Sequence, residues 1–87
     1  MSKYASDTID ANDETVGPVS VSRGQVCMAS VDYTAGTITL QYSPDGTNWI
    51  AVGDGYTADT VKMAQGFGEY RFIGTGSPNA VCTLSVQ

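Results

Sequence analysis

The chain has 87 residues, with 4 basic and 9 acidic side chains, no histidine and a formal net charge of −5. A chain this short makes one domain and buries only about 60–65% of its unfolded surface, so its stability margin is thin. Without histidine there is no Ser-His or Cys-His nucleophile pair and no imidazole metal ligand, and a pI near 4.1 disfavours binding nucleic acid through its phosphates.

Residues 1–15 differ in texture from the rest. Asp7, Asp10, Asp13 and Glu14 face a single Lys3, and after Met1 the only large apolar side chains are Tyr4 and Ile9. No strand or helix period is expected in this stretch. It reads either as a solvated tail or as an irregular arm that orders against a neighbouring subunit, with Tyr4 and Ile9 as its anchors.

From Val16 onward the pattern is β. Residues 16–22 (VGPVSVS) alternate around Val19 and Val21, while Pro18 demotes the run to an edge strand or a strand start. After a turn at Arg23-Gly24, residues 25–33 place Cys27, Ala29, Val31 and Tyr33 on one face, and Val26, Met28, Ser30 and Asp32 on the other. Ala35-Gly36 reads as a turn. Residues 37–43 (TITLQYS) carry the clearest alternation, with Ile38, Leu40 and Tyr42 inward and Thr37, Thr39, Gln41 and Ser43 outward.

Pro44-Asp45-Gly46-Thr47-Asn48 has turn chemistry, and residues 49–52 (WIAV) follow as the partner strand of a hairpin. A weaker strand is expected at 56–63, then a loop through Gly66-Phe67-Gly68. Residues 69–75 alternate Tyr70, Phe72 and Gly74 against Arg71, Ile73 and Thr75. Gly76-Ser77-Pro78-Asn79 reads as a turn into a last strand with Ala80, Cys82, Leu84 and Val86 inward. Six or seven short strands with no helix predict an all-β fold, a small antiparallel β-sandwich or jelly-roll-like barrel over 16–87 with an irregular N-terminal arm over 1–15.

Few residues offer chemistry. Cys27 and Cys82 lack CxxC spacing and fall on inward faces, as two buried thiols or as a bridge closing a loop of more than 50 residues. Asp45, Asp54 and Asp59 sit in loops that do not match a calcium pattern, and turn formation explains them better. Gly66-Phe67-Gly68 does not open a helix, so it is not read as a phosphate cradle; it presents Phe67 either as a contact or as a plug. Most aromatics fall at inward positions as core, but Trp49, Tyr56 and Phe67 would make a sugar-stacking platform or a protein interface if they lined one end of the fold. The uncharged row Thr37, Thr39, Gln41 and Ser43 suits packing against another protein. No enzyme activity, metal or cofactor is expected. No run is long and apolar enough for a membrane span, and no apolar signal segment opens the chain, so synthesis in a cytoplasm is expected.

Residues 36–52, GTITLQYSPDGTNWIAV, resemble a strand-hairpin element of small structural proteins from tailed bacteriophages. Gly68-Glu69-Tyr70-Arg71-Phe72 and the valine-rich run 81–86 are similar to its later pieces. The resemblance spans about residues 36–87 and implies a head decoration (cement) protein on the outer surface of the virion. Its partners would be the major capsid protein and sister copies in a homodimer or homotrimer. Candidate contact residues are Tyr4, Ile9, Thr37, Thr39, Gln41 and Phe67. The alternative is a tail or fibre component, or a binding module for a host receptor or glycan. The run SPDGTNW is also similar to an Asp-box, but it is one residue short between Asp and Trp and occurs once. A likeness of LQYSPDGTNW to discoidin-like carbohydrate-binding domains covers too little of that larger fold.

Overall fold

The computed structural model describes residues 3–87. It contains six strands, all antiparallel: β1 (Tyr4–Ile9), β2 (Thr15–Val21), β3 (Val26–Ser43), β4 (Ile50–Ala51), β5 (Thr60–Gln65) and β6 (Gly68–Val86). β3 and β6 dominate, at 18 and 19 residues, and pair from Cys27 opposite Val86 to Ser43 opposite Glu69. Their register shifts on both sides of Ala35, so the pair bends there and divides into two halves.

Each half gathers its own flanking strands. In the first layer, the late part of β6 pairs with β1 on one side and with the early part of β3 on the other, which in turn pairs with β5. In the second, the early part of β6 pairs with β2 and the late part of β3 with β4. The two layers enclose one core. Cys27, Ala29 and Val31 of β3 and Cys82 and Leu84 of β6 bury their side chains with Ile38, Leu40, Tyr70 and Phe72 from the other half. Gly17 of β2 lies against the Leu84 side chain across this core.

The bend depends on absent side chains. Gly36 has φ +79°, and a Cβ there would stand 2.5 Å from the Pro78 Cα and 2.8 Å from the Thr75 carbonyl oxygen. Gly74 faces the Ile9 side chain and Pro78, with no room for a Cβ. The two long strands therefore touch backbone to backbone where they fold over. The segments read as turns at 35–36 and 76–79 are bends inside continuous strands, because the β3–β6 ladder resumes beyond them.

The N-terminal arm is a correction. Residues 4–9 form β1 and pair residue by residue with β6, from Tyr4 opposite Ser85 to Ile9 opposite Ala80. They belong to the same fold as residues 16–87. Ile9 is fully buried in the core, so it anchors this fold and is not free to anchor a neighbour. Asp7 hides the alternation: it falls on the inner row with Ala5 and Ile9, yet at the sheet edge that row still reaches water. Pro18 does mark an edge, since β2 pairs only with β6 and carries a bulge between Val16 and Val19.

Register also settles the cysteines. Cys82 lies opposite Val31, and Cys27 lies opposite Val86. Four positions along a strand separate them by about 13 Å, whereas a disulfide needs Cα atoms within about 7 Å. Both are free, buried thiols, and burial pushes Cys82 up to about 11 and raises Cys27.

The bend has a measurable signature. At Gly24, φ is +80° and a Cβ would meet nothing within 4 Å, so Gly24→Ala costs only left-handed strain, about 1–2 kcal/mol. Gly36→Ala shares that strain and adds overpacking of about 1–3 kcal/mol. Urea denaturation of the two variants will show the larger loss at Gly36.

Candidate interaction surface

In the first layer, the inward row of each strand is consumed by the core, which fixes what the outward row can be. The register aligns Tyr4, Ser85, Met28 and Met63 in one line across the four strands. Ser6, Thr83, Ser30 and Val61 form the next line, and Thr8, Val81 and Asp32 the third. The result is a face of hydroxyl and apolar side chains with two carboxylates, Asp32 and Asp59, together at one end. Exposed apolar side chains concentrate on it: Val61 is 72% exposed, Tyr4 64%, Met63 55% and Val81 45%. Ser6 and Thr83 share a hydrogen bond of 2.9 Å between their hydroxyls, which fixes the centre of the face. Such a surface meets another protein without stranding buried charge.

The second layer presents a different exterior. Thr37 and Thr39 are half-buried because Gly55 passes directly against them, held by the backbone pairing of Tyr56 with Ile38. Gln41 accepts a hydrogen bond from Arg71 Nε at 2.8 Å. The Arg71 guanidinium in turn lies 4.2 Å from the centre of the Trp49 ring, a cation–π contact. Ser43, expected to face outward, is fully buried. The row Thr37, Thr39, Gln41 and Ser43 is thus largely occupied from within the chain, and it is not the open flat face that alternation suggested.

Ser43 is buried because it organises the following turn. Its Oγ accepts from the Gly46 N–H at 2.7 Å and donates to Asp45 Oδ1 at 3.0 Å. Asp45 also accepts from the backbone N–H groups of Asn48 and Thr47 and from the Asn48 side-chain amide. These donors, led by the Asn48 backbone, hold its carboxyl far below the usual carboxylate range. Both carboxylate oxygens of Asp45 thus accept from the turn that Asp45 helps to form.

The three aromatics considered as a sugar platform sit on separate elements. Trp49 precedes β4 beneath Arg71, and Tyr56 is half-buried against the core. Phe67 is exposed in the turn between β5 and β6, where its carbonyl accepts from the Tyr42 hydroxyl. It borders a shallow groove with Pro44, Asp45 and Glu69 in which Trp49 and Tyr56 take no part. A larger groove, of about 570 Å³, opens between β4 and β5 and is lined by Tyr42, Ile50, Val52, Met63, Ala64 and Tyr70. Lys62 is its one ionic side chain.

Of the expected contact residues, Tyr4 therefore lies on the open face and Phe67 in an exposed turn. Thr37, Thr39 and Gln41 lie on the other exterior, and Ile9 lies in the core. The residues that build the open face, Met28, Ser30, Val61, Met63, Val81 and Thr83, were not singled out as contacts. The outward alternation of 81–87 and of 26–32 was their only trace. Among the described residues, no group of three Asp, Glu or Cys side chains comes together to hold a metal ion. Family models, curated proteins and solved structures give no match to this chain.

Asp45 supplies a pH signature. A carboxyl with a depressed folded pKa contributes stability above its unfolded value, about 3.9, and that contribution fades as pH falls through the folded value. Wild-type protein will lose thermal stability as pH drops below about 4, in the range set by that unfolded pKa. Asp45→Ala will be less stable at neutral pH and will show a smaller loss on acidification. Thermal melts across pH read both effects.

Proposed function

We propose that this chain is a non-enzymatic structural protein of a tailed-phage virion, a head decoration protein that binds the outer surface of the shell and braces its coat subunits. The observation that carries this reading is the open exterior of the first layer, uncharged except for Asp32 and Asp59 at one end and presented by a small module whose strands are bound into one continuous sheet. A brace needs a rigid surface more than a pocket, and the bent β3–β6 pair supplies rigidity across that whole layer. The resemblance of residues 36–52 to phage structural proteins supports the same reading. Its partner is the major capsid protein, and many weakly bound copies on one shell sum to a large stabilisation.

The short side chains of this face, among them Ser6, Ser30, Val81 and Thr83, lose little conformational entropy on contact, and Met28 and Met63 add apolar area that adapts to a partner's shape. A carboxylate placed among them has no partner and must be desolvated. Val81→Glu will therefore abolish or strongly weaken binding of the purified chain to expanded shells lacking it, measured by co-sedimentation. Its outward position keeps the melting temperature close to wild type. Binding equal to wild type in a folded Val81→Glu variant would overturn the assignment of this face to the shell.

A further inference from the structure

Four strands bound the sheet laterally, and two are closed to further pairing. β2 carries Pro18 and a bulge, and β4 is two residues long. β1 and β5 differ: each is six residues long, without proline or bulge, and they are the two outer edges of the same layer.

Backbone hydrogen bonding shows which groups these edges leave free. The Lys3 carbonyl accepts from the Val86 N–H, so alternation turns the N–H and C=O groups of Tyr4, Ser6 and Thr8 away from β6. Val26 exchanges both its bonds with Gln87. The next residues of β3 therefore bond to Thr60, Lys62 and Ala64, and Val61 and Met63 direct their backbone groups outward. Each edge also carries one exposed charge in mid-strand, on the inner row. Asp7 stands opposite Cys82 on β1, and Lys62 stands opposite Ala29 on β5.

We propose that copies of this chain associate head to tail, with β5 of one copy pairing antiparallel to β1 of the next. Strand directions alternate across the layer, so a neighbour in the same orientation offers β1 antiparallel to β5. Aligning the two six-residue strands end to end sets Lys62 opposite Asp7 of the second copy. The same register sets Val61 opposite Thr8 and Met63 opposite Ser6, the residues whose free backbone groups must meet. Inner row meets inner row. A slip of one residue would put inner side chains on the outer face, and a slip of two would separate the ion pair.

Like edges do worse, because two copies of β5 or two of β1 gather like charges on one inner row. The Thr8 N–H is capped by its own Asp7 carboxylate at 2.8 Å. In the pair that N–H passes to the Val61 carbonyl, and the carboxylate turns to the ammonium. Tyr4, Val61 and Met63, all exposed in the single chain, then share one seam. The contact is heterologous, so copies form a closed ring or an open chain according to the angle between neighbours. None of this requires a virion.

Light scattering on the purified chain tests it. The wild type is expected at a multiple of 9.1 kDa. Lys62→Asp and Asp7→Lys are each expected as folded monomers, and an equimolar mixture of the two regains association because each supplies the other's complement. A wild type that stays monomeric at every concentration, or a mixture that stays monomeric while the wild type associates, would overturn the proposal, as would single variants that associate like the wild type. Amide exchange on the wild type reads the same seam without substitution. The N–H groups of Ser6, Val61 and Met63 are expected to gain protection with concentration. Association without that protection places the interface elsewhere and overturns the proposal.

Discussion

The structure depends on one constraint, the pairing of two long strands that must also fold over on themselves. β3 and β6 stay paired on both sides of the bend, so every other strand takes its place from them. The core then follows, because folding the pair brings Ala29, Val31, Cys82 and Leu84 of one half against Ile38, Leu40, Tyr70 and Phe72 of the other. Burial of these side chains opposes a large chain-entropy cost, which small domains offset only with a nearly complete core. Gly36 and Gly74 make the fold-over possible, as any side chain there would meet Pro78.

That constraint explains the two unlike exteriors. The second layer receives the long connection between β3 and β5, which lays Gly55 against the threonines of β3, pairs Tyr56 with Ile38 and gives Arg71 the Trp49 ring to rest on. The first layer receives no such cover. Its outward rows stay open, and its two lateral edges end in regular strands of opposite charge. One layer is finished within the chain; the other offers a face and two edges to its surroundings.

Much of the fold could be read from alternation. Ile38 and Leu40, Tyr70 and Phe72, and Ala80, Cys82 and Leu84 are buried as their spacing indicates, because a period of two with one apolar face admits few other arrangements. What escaped was long-range. Glycine and proline at 35–36 and 76–79 carry the same chemistry in a turn as in a bend of a continuous strand, and only the opposing ladder separates the two cases. β1 escaped because Asp7 interrupts its inner row, a charge tolerated at a sheet edge and nowhere deeper. The covered row of Thr37, Thr39 and Gln41 escaped because its cover comes from far along the chain, Gly55 for the threonines and Arg71, 30 positions on, for Gln41. The open face needed the register of four strands, which no local pattern encodes.

The central functional claim is that this surface serves as a repeated brace on a virus shell, and the count of chains per particle tests it most directly. Quantitative mass spectrometry of purified particles, referenced to the major coat protein, should give hundreds of copies in a simple ratio to coat subunits. A few copies per particle would place the chain in the tail or fibre, and its absence from particles would contradict the virion account altogether.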